Sequence, residues 1–141
     1  MSKKDSSVLK LKDLSSNKKI SHIYSNFNYQ LNASIKKNTF LVAVSGGPDS
    51  LALSALSHSY SIEKKTKIFF VLIDHGIRTN SSKEAQNVKD LLKKKGINLI
   101  ILKNKKKINK NFQSQAREIR YQLLLNFCKK NKIKFIMTGH H

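Results

Sequence analysis

A stretch of six residues from Ser45 to Ser50 combines small side chains with one carboxylate. Small residues let the backbone approach a ligand closely, and the unpaired N–H groups of a helix's first turn attract negative charge. We therefore predict a phosphate-binding loop, although a glycine-rich connection without a ligand is the alternative. A carboxylate repels phosphate, so Asp49 is expected to hold a Mg²⁺ ion that neutralises the phosphates. The predicted ligand-binding positions are Ser45, Gly46, Gly47, Pro48, Asp49 and Ser50.

Two other groups of polar residues follow apolar runs. Asp74, His75 and Gly76 form a turn that could contact a ligand, although these residue types are also common in simple loops. His140 and His141 are adjacent, so their side chains point in different directions. No cysteine or carboxylate follows them at ligand spacing, and a zinc site is not expected.

A pair of arginines is the last candidate for chemistry. Arg117 and Arg120 lie three residues apart and share a face of a predicted helix, where a salt bridge with Glu118 or solvent exposure is the alternative. They are two of only three arginines in a chain dominated by lysine. Arginine offers phosphate a fixed fork of donors, whereas lysine offers a point charge. This difference favours a functional role.

The elements that must position these residues alternate along the chain. Apolar runs predict four buried strands, and helical spacing of apolar residues predicts helices before and between them. Ser81 or Ser82 is expected to cap the third of these helices, and 61–65 is expected to be a solvated connection. The predicted strands are 40–44, 67–73, 97–102 and 132–137. The predicted helices are 20–35, 50–60, one that starts at the cap at 81 or 82 and ends within 93–96, and 116–131.

This alternation predicts an α/β fold of Rossmann type, with an open parallel sheet and helices on both faces. Ligands bind such sheets beyond the carboxyl ends of the strands, where the strand order reverses. The segments 45–50, 74–78 and 138–141 all follow strands directly. We therefore expect them to share one rim.

Length and composition allow one domain with a hydrophobic core. The chain has 141 residues, of which 39% are hydrophobic and 26% charged. We expect a polar leader over 1–16 and one nucleotide-binding domain over 17–141. No apolar run is long enough to cross a membrane, and the polar start lacks a signal peptide's apolar core, so a cytoplasmic location is expected. The single cysteine, Cys128, is predicted to pack in the core.

The formal net charge of +20 would attract polyanions, RNA first among them. The alternative is genome bias, because lysine, asparagine and isoleucine are all abundant and the lysines are spread over helices and loops. The lysine-rich segment 103–110 lacks interleaved aromatics, which favours a solvated loop over a phosphate-binding one. Charge therefore supports RNA binding without establishing it.

The loop sequence Ser-Gly-Gly-Pro-Asp-Ser resembles the pyrophosphate loop (PP-loop) of the ATP pyrophosphatase superfamily. With the segments 74–78, 84–85, 115–121 and 139–141, it resembles the successive motifs of bacterial tRNA(Ile)-lysidine synthases. The five motifs stand in the family's order and cover roughly residues 20–141. The resemblance implies a ligase that uses ATP and free L-lysine to convert the wobble cytidine of tRNA(Ile) with a CAU anticodon into lysidine.

The resemblance also implies roles for individual residues. The loop 45–50 would hold the ATP phosphates with Mg²⁺ at Asp49, and the turn 74–76 would lie beside adenine and ribose. Arg117 and His140 match motif residues near the reacting phosphate, so with Asp49 they are the expected catalytic residues. Family members continue beyond the two histidines with acidic residues for lysine and with tRNA-binding domains. The 141 residues are therefore expected to be an N-terminal part that does not complete the reaction alone.

Two other functions fit the same loop. One is a different PP-loop adenylating enzyme, either a small-molecule ligase or a tRNA thiolation enzyme; a lone cysteine inside a predicted helix disfavours thiolation. The other is a nucleotide- or RNA-binding module without catalysis.

Overall fold

The computed structural model describes residues 26, 29, 39–76, 79–105 and 112–138. Asn26 and Tyr29 are helical and exposed, and the rest of the helix predicted over 20–35 lies outside the described residues. The predicted leader, the predicted loop residues 106–110 and the two C-terminal histidines also lie outside them. No helix in the described ranges is long and apolar enough to span a membrane.

Four strands form one parallel sheet in the order β3-β2-β1-β4. β1 lies at the centre, where Val44 pairs with Leu72 of β2 and Ala43 pairs with Thr138 of β4. The predicted parallel sheet is confirmed. The strands are β1 (Phe40–Val44), β2 (Ile68–Asp74), β3 (Leu99–Lys103) and β4 (Phe135–Thr138).

Three helices connect the strands. β1 leads to β2 and β2 to β3 in one direction across the sheet, and the chain then returns past β1 to reach β4. Right-handed crossovers therefore put the first two helices on one face and the third on the other. The helices are α1 (Pro48–Lys64), α2 (Ser81–Lys93) and α3 (Phe112–Asn131).

Two separate hydrophobic cores confirm that arrangement, because alternate residues of each strand face opposite sides of the sheet. In β1, Phe40, Val42 and Val44 pack with α1 and α2, and the ring of Phe40 lies edge-on to Tyr60 at 6.2 Å. Leu41 faces the other core, which α3 closes with Leu124 and Cys128. The prediction that Cys128 packs in the core is confirmed.

Helix α1 is longer than the sequence predicted. It begins two residues earlier, with Pro48 in its first turn, and residues 61–64 continue it rather than forming a solvated connection. The helix ends where Lys65 adopts a left-handed conformation, φ 54°, and the N–H groups of Lys65 and Thr66 donate to the carbonyl of Ser61. This C-terminal motif satisfies carbonyls without glycine, which is why the sequence did not mark it.

Candidate functional site

The loop 45–50 is held in shape by its own serines. The N–H of Ser45 donates to Oγ of Ser50 at 2.8 Å, and the N–H of Gly47 donates to Oγ of Ser45 at 3.4 Å. Ser50 is buried and its carbonyl accepts the hydroxyl of Ser54, so Ser50 closes the loop from within. Gly46 has φ +89°, and a Cβ there would lie 3.2 Å from Cγ2 of Val88. The loop thus needs glycine at 46 and packs closely against α2.

The N-terminus of α1 opens onto this loop. Gly47 is the N-cap and no side chain of the described residues caps the helix, while Pro48 has no N–H to satisfy. The positive end of the helix dipole therefore remains available to an anion. Asp49 lies in the first turn with its side chain exposed.

One exposed carboxylate fits a Mg²⁺ ion that keeps most of its waters and is shared with phosphates. It does not fit a metal cage built from protein ligands alone. Within the described ranges, no group of three or more His, Cys, Asp or Glu side chains could hold a metal.

A buried carboxylate, Asp74, ends β2. Its Oδ2 accepts the hydroxyl of Ser82 at 2.9 Å, and its Oδ1 accepts the N–H of Gly76 at 3.1 Å. Burial alone would raise the pKa of Asp74. Hydrogen bonds from Ser81, Ser82 and Gly76 and the positive charge of Lys103 outweigh it, so the pKa is lowered and Asp74 is ionised at neutral pH.

The serines that were expected to cap α2 serve this carboxylate instead. The N-cap of α2 is Asn80, and among the residues that the structure describes no side chain caps the helix. The prediction of a cap at Ser81 or Ser82 was wrong. The end of β2 brings a buried charged acceptor within reach, and a hydrogen bond to a charged group is stronger than one to a backbone N–H. The bond ties the start of α2 to the end of β2.

The turn after Asp74 is fixed from the neighbouring strand. The N–H of Asn104 donates to the carbonyl of Asp74 at 2.9 Å, and its side-chain amide donates to the carbonyl of His75 at 3.1 Å. Gly76 has φ +71° and completes the turn. Asn104 directly follows β3, so the rule that found 45–50 and 74–76 could have found it too.

His75 is neutral at physiological pH. Burial and then the positive charge of Arg120 lower its pKa, and Asp74 opposes them more weakly. Nδ1 of His75 is buried and has no hydrogen-bond partner among the described residues. A neutral imidazole has one donor and one acceptor nitrogen, which suits an uncharged polar group such as a purine edge or a sugar hydroxyl.

A cleft of about 320 Å³ lies between the ends of β1 and β2 and the start of α2. Arg120 of α3 reaches it from the other face of the sheet. Apolar walls with a few convergent polar groups are typical of small-molecule sites. The lining residues are Val44, Ser45, Leu72, Ile73, Asp74, His75, Ser81, Glu84, Ala85, Val88 and Arg120.

The two arginines of α3 occupy different surroundings. Arg120 is partly buried and lines the cleft, whereas Arg117, the arginine expected to be catalytic, is exposed. The guanidinium carbons of Arg117 and Arg120 lie 5.8 and 5.4 Å from the ring centroid of Tyr121. The other expected catalytic residue, His140, lies outside the described residues.

The fold thus gathers the loop 45–50 and the turn 74–76 at one rim, and both contribute to the cleft through Ser45, Asp74 and His75. Sequence reasoning missed Ser82 and Asn104 as supports of the turn. The position of Asn104 directly after β3 could have marked it, whereas residue spacing does not show that Ser82 donates to Asp74.

A family model described as a PP-loop domain matches residues 13–141. The chain is also similar to proteins named tRNA(Ile)-lysidine synthase. That of Wolbachia pipientis wMel is 38% identical over 107 residues, which are 74% of this chain and 25% of the relative. That of Orientia tsutsugamushi is 40% identical over 101 residues, which are 71% of this chain and 23% of the relative. That of Rickettsia typhi is 31% identical over 125 residues, which are 84% of this chain and 29% of the relative.

The matched region is the N-terminal part of these relatives, and the chain spans about a quarter of their length. Among solved structures, the chain is similar to the U34-tRNA thiolase NcsA from Methanococcus maripaludis with its [4Fe-4S] cluster. The TM-score is 0.75 with 20% identity, over 86% of this chain and 45% of the other. At that identity the likeness supports the fold.

Proposed function

Because this chain belongs to the PP-loop domain family, we propose that it is the ATP-binding part of a tRNA(Ile)-lysidine synthase. The curated relatives that carry this name match most of the chain at 31–40% identity. The PP-loop domain itself supports the use of ATP. The expected location is the cytoplasm.

The proposed reaction has two steps. The C2 carbonyl oxygen of the wobble cytidine in tRNA(Ile) with a CAU anticodon attacks the α phosphorus of ATP, and pyrophosphate leaves. The amino group of free L-lysine then attacks C2, and AMP leaves with the former carbonyl oxygen. Lysidine and AMP are the products. The names of the relatives support this choice of acceptor and amine.

The glycine loop and the N-terminus of α1 would bind the ATP phosphates. The loop backbone is fixed by Ser45 and Ser50, and the uncapped helix end adds positive potential. Asp49 would hold Mg²⁺ through its exposed carboxylate, and the ion would neutralise the phosphates and the departing pyrophosphate. Fixed charge placed where negative charge develops is an efficient form of catalysis.

The turn 74–76 would hold the nucleoside. Neutral His75 offers a buried nitrogen that has no hydrogen-bond partner in the described part of the chain, and the ionised Asp74 keeps the turn in place through Ser82 and Gly76. Arg120, which lines the same cleft, would interact with the α phosphate. Arg117 and His140 remain predicted catalytic residues on the strength of the sequence motifs.

The observation that carries the proposal is the cleft. One cavity joins the phosphate-loop residue Ser45 to the turn residues Asp74 and His75, with an arginine at its wall. The proposed phosphate-binding and nucleoside-binding residues thus share one cavity, which supports ATP as the ligand.

Binding of Mg²⁺-ATP to the chain, measured by calorimetry, tests the ATP site. Asp49→Asn removes the proposed metal ligand and should weaken binding at least tenfold, without changing the melting temperature. Asp90→Asn is the matched control, because Asp90 is an exposed carboxylate on α2 that accepts a hydrogen bond from Gln86. Equal ATP affinity in wild type and Asp49→Asn would remove Asp49 from the site.

ATP–pyrophosphate exchange then separates the candidate functions. Exchange that depends on a tRNA with a CAU anticodon supports lysidine synthase. Exchange that depends on a small carboxylic acid supports a small-molecule ligase and overturns the proposed acceptor. ATP binding without exchange under either condition assigns the 141-residue chain to nucleotide binding alone.

A further inference from the structure

Tyr121 is an exposed aromatic side chain on α3 beside the strand ends. It keeps 39% of its surface exposed, and the guanidinium groups of Arg117 and Arg120 lie within 6 Å of its ring centroid. Both distances allow cation–π attraction. A large aromatic ring that stays exposed near two cations is suited to a flat ligand that carries phosphate.

The position of Tyr121 connects it to the cleft. Ser45 and Arg120 line the cleft, and the same two residues line a crevice of about 20 Å³ with Tyr121 and Thr138. The cleft is closed by α2 on one face of the sheet, and the crevice is closed by α3 on the other. Ser45 and Arg120 thus lie between the Tyr121 ring and the turn 74–76.

The crevice itself has room for about one water molecule. A ligand at Tyr121 must therefore lie on the exposed side of the ring. There it would lie next to Ser45 and Arg120, which also line the proposed ATP cleft.

We propose that Tyr121 is a stacking platform for an unpaired base of RNA, and that Arg117 beside it attracts the phosphates that flank the base. The proposal rests on the proposed function and adds to it the place where the acceptor binds. Stacking on an aromatic ring uses the face of the base, and a nearby guanidinium strengthens it. The net charge of +20 supplies general attraction to RNA, whereas Tyr121 supplies a location.

The same helix offers a control. Leu125 lies one turn further along α3 on the same side and is 53% exposed. If the exposed side of α3 docked a protein surface, Leu125 and Tyr121 would contribute together. A stacked base needs the aromatic ring alone, and both guanidinium groups lie within 6 Å of that ring's centroid.

The test is fluorescence anisotropy with the full 141-residue chain, a labelled RNA stem-loop that carries the CAU anticodon, and Mg²⁺-ATP. Tyr121→Ala should weaken RNA binding roughly 5-fold or more. Tyr121→Phe keeps the ring and should stay within about twofold of wild type, and Leu125→Ala should do the same. Arg117→Gln should lower the slope of log affinity against log salt by about 1, which Tyr121→Ala should not.

Three results would overturn the proposal: unchanged RNA binding in Tyr121→Ala, an equal loss in Leu125→Ala, or no RNA binding by a wild-type chain that binds ATP. Calorimetry with ATP on the same variants keeps the two proposals apart. RNA binding that depends on the Tyr121 ring, in a chain that does not bind ATP, would support the platform and refute the proposed function. Circular dichroism confirms that each variant is folded.

Discussion

Replacing Gly46 by alanine tests whether the glycine loop depends on close packing against α2. Gly46 has φ +89°, a conformation that costs a residue with a Cβ roughly 1–2 kcal/mol. The new Cβ would also lie 3.2 Å from Cγ2 of Val88, so one of the two must move by a few tenths of an ångström. Strain and contact together should destabilise the fold by about 1–3 kcal/mol.

For a chain of this size that loss corresponds to a fall in the melting temperature of roughly 2–12 °C. Thermal unfolding followed by circular dichroism measures it. The double variant Gly46→Ala/Val88→Ala separates the two causes, because removing the Val88 methyl groups relieves the contact and leaves the backbone strain. Affinity for Mg²⁺-ATP should fall with Gly46→Ala, since the loop backbone would shift.

Gly47→Ala is the matched control. Gly47 has φ −77° and ψ 166°, which any residue adopts, and a Cβ there would lie an ordinary 3.7 Å from Oγ of Ser45. Alanine is a poorer N-cap than glycine, so a cost of up to about 1 kcal/mol is expected. A wild-type melting temperature for Gly46→Ala, or a larger loss of stability in Gly47→Ala, would contradict a close contact between the loop and α2.

Three further predictions concern the supports of the site and the core. Ser82→Ala removes a hydroxyl donor from buried Asp74 and should lower the free energy of unfolding by about 1.5–3 kcal/mol. It should also raise the pKa of Asp74, so acidification should begin to destabilise this variant at a higher pH than wild type. Ser82→Thr keeps the hydroxyl and should match wild type in both stability and pH dependence, as measured by urea unfolding at several pH values. Burial lowers the pKa of His58, and burial together with Arg120 lowers that of His75. Stability should therefore fall as the pH drops through 6.5, the histidine pKa in the unfolded chain. His58→Gln should reduce this pH dependence, and an unchanged plot of stability against pH would contradict the prediction. Leu124→Ala should cost about 2–5 kcal/mol because Leu124 is 1% exposed, whereas Leu125→Ala should change stability by less than about 0.5 kcal/mol, both by urea unfolding.

The sequence predicted most of the secondary structure because its apolar residues follow clear periods. Runs such as Phe40–Val44 are continuously apolar, as expected of strands covered on both faces, and α2 shows a helical stripe that includes Ala85 and Leu92. Helix ends were harder to predict from the sequence. Lys65 ends α1 in a left-handed conformation, which a glycine at that position would have indicated and a lysine does not.

The sequence by itself determined that the loop 45–50 and the turn 74–76 would meet, because both follow parallel strands and the ends of such strands share a rim. It also placed Gly46 where close approach of the backbone is needed. These conclusions depend on local order along the chain, which composition and spacing record directly.

Only the tertiary structure decided which side chains serve the site. The strand order brings Asn104 beside His75, and the crossover of α3 brings Arg120 to the cleft while Arg117 stays exposed. The hydroxyl of Ser82 donates to the buried carboxylate of Asp74 and does not cap the helix that it begins. Such choices depend on distances between residues far apart in the chain, and those distances exist only once the sheet has formed.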